Sequence, residues 1–258
     1  MLKILFLGDV FAKSGRDAVL KRLPLLKEEY QCDFVIVNGE NAAHGKGINT
    51  KIYQSLINCG ADVVTLGNHA FSKSEIKEDM NQYDSLVRPK NIEPEEIGHP
   101  YVIKKVKGKK IAVVNLLGQV FMDCATSSPI EAMENLLDEI DVDIIIVDLH
   151  AEATSEKELF LRVFYQDVTA VIGTHTHVQT ADEKVFNGCA FLSDVGMCGP
   201  YDSIIGRDAE EIISKIIKNE KTHFTPADGP AIICGCVIEI DENTNRAVSI
   251  RRIQERPE

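Results

Sequence analysis

Five short apolar bursts punctuate the chain: KILFLG (3–8), DFVIVNG (33–39), DVVTLG (62–67), DIIIVDLH (143–150) and VTAVIG (168–173). Each is continuous rather than alternating, and rich in β-branched residues. That is the pattern of a strand covered on both faces. Between them lie SGRDAVLKRLPLLKEEY, TKIYQSLINCG, SPIEAMENLLDEI and SEKELFLRVFYQ, whose apolar positions recur at helical spacing. Ser14 and Thr50 are expected N-caps, Gly60 an expected C-cap, and Pro24 predicts a kink or break in the first helix. YVIKKVKGKKIAVVNLLG (101–118) reads as a hairpin turning at Gly108, and AIICGCVIEI with RAVSIRRIQ, joined by DENTN, as a second. The order predicts an α/β fold with a mixed sheet arrangement, two packed sheets carrying helices outside. No repeat, low-complexity tract or linker interrupts it, so residues 1–258 are expected to form a single domain.

Composition narrows the function. The net charge of −12 argues against a protein that holds duplex nucleic acid by counterion release. A small anion remains an accessible substrate if metal ions reverse the local sign. There is no run of eighteen apolar residues, and MLKILFLGDV is too short in its apolar part for a signal peptide and reads as a first strand. A cytoplasmic protein with no membrane partner is expected. Seven scattered cysteines without a CxxC are expected to be reduced and mostly buried, with Cys234 and Cys236 sharing one strand face rather than a metal.

The chemistry gathers where the bursts stop. The first ends at Gly8-Asp9, the second at Asn38-Gly39-Glu40-Asn41, the third at Gly67-Asn68-His69, the fourth at His150 and the fifth at Gly173-Thr174-His175-Thr176-His177. In open α/β sheets ligands bind at the carboxyl ends of strands. An extended chain would aim His175 and His177 the same way. Two buried imidazoles without partners are costly, and a metal ion removes that cost. Any one of these residues alone reads as a cap, a turn or a satisfied polar group; five strand ends together point to metal. Carboxylate, amide and imidazole ligands without thiolate suit Mn, Fe or Zn. About eight candidate ligands are too many for one ion, and two-metal sites are characteristic of phosphoester hydrolysis. His44, His99 and His223 lack the strand-end context; of these His44, in the glycine-rich HGKGIN just after Glu40-Asn41, is the one within reach of the site.

The series GD…GEN…GNH…H…GTHTH resembles the calcineurin-like metallophosphoesterase signature. The closer resemblance is to the YmdB-type bacterial 2′,3′-cyclic-nucleotide 2′-phosphodiesterase family, carried by GDVFAKSGR, VNGENAAHGKGI, TLGNHAFSK, DLHAEATSEK, GTHTHVQTAD and DVGMCGPYDSIIG. The resemblance implies a four-layer αββα sandwich and two metal ions. One ion would lie on Asp9, Glu40, Asn41 and His177, the other on Glu40, Asn68, His150 and His175, with Glu40 bridging. His69 then fits the proton donor. The wider superfamily has histidine where this chain has Phe11 and aspartate where it has Glu40; Asn41 is the natural replacement for the lost ligand. Ala12 stands where glycine is expected, which implies a stiffer loop.

The function so implied is hydrolysis of small phosphodiesters, 2′,3′-cyclic nucleotides to 3′-nucleotides. DVGMCGPYDS is a candidate wall of the pocket. A Rossmann oxidoreductase is excluded by the missing GxGxxG. A metal-bound nucleotide-sensing protein with little turnover is the rival, opposed by the intact His69. A homo-oligomer is compatible with the sequence.

Overall fold

The computed structural model describes residues 1–257. Strand β1 (Leu2–Leu7) and the two-residue β2 (Asp9–Val10) lead into helix α1 (Ala12–Glu29). There follow β3 (Phe34–Asn38), α2 (Thr50–Asn58), β4 (Val63–Thr65), the short α3 (Ser74–Asp79) and β5 (Leu86–Val87). The hairpin β6 (Tyr101–Val106) and β7 (Lys109–Leu117) precedes α4 (Pro129–Leu137), β8 (Ile144–His150), α5 (Thr154–Phe164) and β9 (Ala170–Thr174). The last part holds β10 (Lys184–Phe186), β11 (Cys189–Leu192), β12 (Met197–Pro200), α6 (Ala209–Ile217) and the hairpin β13 (Ala231–Asp241) and β14 (Arg246–Glu255).

Two sheets result. The first runs β2-β12-β13-β1-β3-β4-β5 with β14 on β13, and the second runs β10-β11-β9-β8-β7-β6. β1, β3, β4 and β5 are parallel, as are β7, β8, β9 and β11. Leu2, Ile4, Phe6, Phe34 and Ile36 of the first sheet meet Ile111, Val113, Ile144, Ile146 and Ile172 of the second in one apolar layer. The outer face of the first sheet packs on Val19, Leu23, Leu26 and Leu56 of α1 and α2. The outer face of the second packs on Met133, Leu136, Phe160, Leu161 and Phe164 of α4 and α5. Both faces of each central strand are therefore buried, which is why the bursts read as continuous. The order of layers is helix, sheet, sheet, helix.

Both expected hairpins form. Lys107 and Gly108 turn the first with φ of 47° and 83°, the two positive values that a twisted two-residue turn requires. The helix boundaries differ from expectation. Ser14 lies inside α1, which starts at Ala12, and Asn49 rather than Thr50 caps α2, its side chain accepting from the Ile52 N–H at 2.9 Å. Gly60 follows the C-cap Cys59 with φ 117°. Helix α1 runs through Pro24, which lies on its exposed side while Leu23 and Leu26 anchor the helix to the core. The cysteines are free; Cys59 is half-buried, Cys124 exposed and the other five buried. Cys234 and Cys236 lie in β13, both covered. Among the described residues no helix is long and apolar enough to cross a membrane.

Candidate metal centre

The parallel strands of both sheets end along one edge of the sandwich, and the residues just past them face one another. Asp9, one residue past β1, starts β2 and is paired in register with Met197 of β12. Glu40 and Asn41 follow β3, Asn68 and His69 follow β4, His150 is the last residue of β8, and His175 and His177 follow β9. Gly67 allows the approach: a Cβ there would fall against the Glu40 carboxylate and the His150 ring.

Glu40 lies at the middle. Its Oε1 is 2.9 Å from Asn41 Nδ2 and 3.2 Å from His150 Nε2, and its Oε2 accepts from the His69 backbone N–H at 3.1 Å. On one side, Asn41 Nδ2 is 3.1 Å from His177 Nε2, which is 3.8 Å from Asp9 Oδ1. On the other, His150 Nε2 is 3.0 Å from Asn68 Oδ1 and 3.0 Å from His175 Nδ1. All seven residues expected to hold metal are thus brought together, in two groups that share Glu40.

The hydrogen bonds behind the rings decide which nitrogens face inward. Thr174 Oγ1 donates to Asp148 Oδ1 at 2.6 Å, so it accepts the proton of His150 Nδ1 at 2.9 Å. That leaves Nε2 of His150 facing Glu40, free to ligate once its proton is gone. His177 Nδ1 donates to the Ile205 carbonyl at 2.8 Å, leaving its Nε2 toward Asn41 and Asp9. Outer partners that fix the tautomer in this way are characteristic of metal-binding histidines.

A cation fits this arrangement. Glu40, His150 and His175 each offer a ligand atom within 4.8 Å of the others. The buried Asp9 Oδ1 has no hydrogen-bond partner at all, a costly state that a positive charge relieves. Turning the Asn41 amide over would present its oxygen in place of its nitrogen.

Electrostatics agree. Burial pushes the Asp9 carboxyl up to about 6 despite His177 and His150 nearby. For His150 burial opposes the charged ring, yet the Glu40 carboxylate, with Asp9 and Asp148, raises it to about 9. Burial, then the neighbouring His150, lowers His175 to about 3. Burial works against the charge on Glu40, but His150 and His69 hold it below the usual carboxylate range. The acids around His150 thus favour a positive charge at the centre of the group.

Two expectations about the surroundings change. His175 and His177 are not extended; their φ values are 103° and 66°, and both rings reach the site through left-handed turns. His44 is exposed and does not line the pocket, whereas its neighbour Gly45 does. The pocket, a cleft of about 240 Å³, is walled by Ile205 and Arg207 rather than by DVGMCGPYDS, because residues 197–200 are consumed as buried strand β12. His69 lines this cleft and stands outside the three-residue cluster. Phe11 is 1% exposed, its ring 5.4 Å from that of His177, so the position faces the site but is filled by a packed side chain. Ala12 has φ 53°, where glycine would be unstrained.

Three buried charged residues behind the centre escaped the reading of strand ends. Asp148 accepts from Thr174, from Thr65 Oγ1 at 2.5 Å and from Asn38 Nδ2 at 3.0 Å. Lys157 Nζ donates to the Thr174 carbonyl at 2.9 Å and to Asp194 Oδ2 at 3.1 Å. Asp194 Oδ2 also accepts from the Thr176 N–H at 3.0 Å, pinning the turn that carries both histidines. The signal was present: Asp148 interrupts an apolar strand, and Lys157 shares the helical face of Phe160, Leu161 and Phe164. A charge at such a position requires a buried partner.

The comparisons with known proteins bear on this geometry. A family model described as YmdB-like protein matches residues 5–253. A Bacillus subtilis protein named 2′,3′-cyclic-nucleotide 2′-phosphodiesterase is 45% identical over 256 residues, covering 98% of this chain and 96% of its own. The crystal structure of a novel phosphatase from Mycoplasma pneumoniae superposes with a TM-score of 0.93 at 38% identity, covering 98% of this chain and 93% of that one. A hypothetical protein from Thermus thermophilus gives 0.92 at 36% identity, covering 98% and 99%. With the match running nearly end to end and the strand-edge constellation complete, the chain belongs to the YmdB-like family.

Proposed function

We propose that this protein is a dinuclear-metal phosphodiesterase that hydrolyses small phosphodiesters, 2′,3′-cyclic nucleotides to 3′-nucleotides. The observation that carries the reading is the inward convergence of Glu40, His150 and His175 beside a partnerless Asp9 oxygen. The phosphodiesterase relative at 45% identity supports the substrate class. As a member of the family the chain is an enzyme, a phosphoric diester hydrolase.

Asp9, Glu40, Asn41 and His177 would hold one ion, and Glu40, Asn68, His150 and His175 the other, with iron, manganese or zinc suited to the donors. When bound, the ions supply Lewis-acid charge to the phosphoryl oxygens and activate the attacking water. Glu40 contributes the charge shared between the two groups. Thr174 and the Ile205 carbonyl hold the His150 and His177 rings in the ligating tautomer. His69, on the cleft wall, donates a proton to the departing sugar oxygen. Turnover of 2′,3′-cyclic AMP by Mn²⁺-loaded protein tests the reading, with 3′-AMP as product and none from metal-stripped protein. Product that is 2′-AMP, or turnover indifferent to metal, would overturn it.

Metal uptake should depend on pH with a definite sign. In the metal-free protein the His150 proton is retained up to about 9 and the Asp9 proton up to about 6. Both groups ligate only when deprotonated, so protons compete with metal below those values. Mn²⁺ affinity should rise from about pH 6 to about pH 9 and fall more steeply below 6, with proton release visible in calorimetry across buffers of different ionisation enthalpy. A flat profile over that window would contradict the ligand roles. Thr174→Val should keep the fold and weaken Mn²⁺ binding about 10- to 100-fold, the usual worth of an outer partner to a ligating histidine. Unchanged affinity would show that Thr174 does not set the His150 tautomer.

A further inference from the structure

The cleft has two walls of opposite character. One is the carboxylate and imidazole cluster. The other is formed by Phe11, Gly45, Ile205 and Arg207, and Arg207 is the only Lys or Arg among the lining residues. Its Nη1 donates to the Phe224 carbonyl at 2.9 Å and its Nη2 to the Gly45 carbonyl at 3.3 Å. Its guanidinium carbon lies 5.5 Å from the Phe11 ring centre and 5.7 Å from that of Phe224. It enters no ion pair among the described residues, where the paired arginines are Arg22, Arg162 and Arg252. Glu211, the acid that acts on it electrostatically, is occupied in accepting from the Thr225 N–H at 2.7 Å. In a chain of net charge −12, this is a half-buried cation held by carbonyls and aromatic faces, with its charge unspent.

The loop that carries Arg207 is fixed relative to the candidate ligands. Ile205, a β-branched residue, adopts φ 47°, and its carbonyl accepts from His177. Such strain persists only where the surroundings over-determine it. Gly206 and Gly45 press on opposite parts of the Phe11 ring, where a Cβ on either would lie 2.7 Å from a ring carbon. The Gly45 N–H donates to the Asn41 carbonyl at 3.0 Å. Arg207, Gly45 and Asn41 are thus linked in sequence, and the guanidinium is registered against the centre.

We infer that Arg207 is the phosphate-binding residue of this cleft. Its remaining N–H donors take phosphoryl oxygens that face away from the ligand cluster; a planar guanidinium matches that geometry with two parallel bonds. The inference rests on the phosphodiesterase reading and adds to it the group that meets the growing charge. In the hydrolysis one water adds across the P–O bond, the departing oxygen gains a proton, and the monoester formed ionises a second time near neutral pH. The product therefore carries more negative charge than the substrate, and Arg207 opposes that charge.

The test uses the full chain loaded with Mn²⁺ and inorganic phosphate as probe. Arg207→Gln should keep its metal and lose about 10- to 100-fold in phosphate affinity, the worth of charged hydrogen bonds. It should lose a similar factor in kcat/KM on 2′,3′-cyclic AMP. Arg207→Lys should fall between Gln and wild type, and added guanidinium ion should restore activity to Arg207→Ala. Unchanged phosphate affinity in Arg207→Gln at full metal occupancy overturns the inference. So does a wild type that binds no phosphate. Lys no better than Gln, together with no rescue, also overturns it and makes Arg207 a clasp between the Gly45 and Phe224 loops. If Arg207→Gln does not fold, Arg207→Lys decides, since it keeps a charge without the fork and must still bind phosphate less tightly. A wild type that binds phosphate but cleaves no diester would overturn the phosphodiesterase reading and leave this site standing. Diester cleavage with phosphate affinity blind to residue 207 would overturn only this inference.

Discussion

Glu40→Gln should fold and fail to hold two metal ions. The side chain keeps its shape, so the hydrogen bond from the His69 N–H to Oε2 and the packing against Gly67 can persist. What is lost is the negative charge at the one residue that touches both groups of ligands. In the metal-free protein that charge holds His150 protonated, and in the proposed loaded state it is shared by two ions. A neutral amide should release at least one ion, so metal content per chain falls well below that of the wild type. The Lewis-acid contribution is worth several kcal/mol, so the rate should fall by about 10³-fold or more. The same substitution has an opposite signature in the metal-free protein. Without the Glu40 charge only Asp9 and Asp148 are left to offset the burial of His150, and its imidazolium should give up its proton at lower pH. Elemental analysis beside a titration of the His150 ring by NMR checks both. Two ions retained per chain would end the bridging assignment, whatever happened to the rate.

The strand ends were legible for a physical reason. A strand covered on both faces tolerates almost no polar residue along its length, so the first polar group past the apolar run marks where the sheet stops covering the chain. Asp9, Glu40, Asn68, His150 and His175 all fall at that boundary. The same rule hid the support. Asp148 lies within β8 and Lys157 on the buried face of α5, inside segments already explained by their apolar neighbours. Their partners Thr65, Thr174 and Asp194 come from other elements, and no local spacing announces a pairing across the sandwich. Backbone conformation was hidden as well. An extended HTH and a turned one have the same letters; only the demand that Asp194 accept from Thr176 and Ile205 from His177 selects the turn. The cleft wall was displaced for a related reason. MCGP reads as a loop by composition, but pairing with Asp9 and Val10 on one side and with β13 on the other makes it a central strand. Two residues of β2 could not have been inferred without that pairing.

His69→Ala should separate two substrates. His69 lines the cleft and meets Glu40 through its backbone N–H rather than its ring, so the variant should keep its metal. A general acid helps in proportion to how poor the leaving group is. A ribose hydroxyl is poor, whereas p-nitrophenolate leaves without a proton. The variant should lose on the order of 10²–10⁴ in rate on 2′,3′-cyclic AMP, the usual worth of a positioned proton donor, and clearly less on bis-p-nitrophenyl phosphate. The electrostatics sharpen the expectation. Burial lowers the His69 pKa, Glu40 pulls it partly back, and Lys46, His150 and Arg207 lower it further. In the metal-free site these groups therefore favour the neutral ring over the protonated one. The bound phosphate anion acts in the opposite direction and raises the proton affinity of the ring it faces. Wild-type kcat on the cyclic nucleotide should accordingly decline as pH rises through the His69 pKa of the substrate complex, and His69→Ala should abolish that limb. The p-nitrophenyl ester should show little of it in either protein. Equal losses on the two substrates at full metal occupancy, with the alkaline limb intact, would mean that His69 acts on something common to both reactions, such as placing the attacking water, and not as the acid.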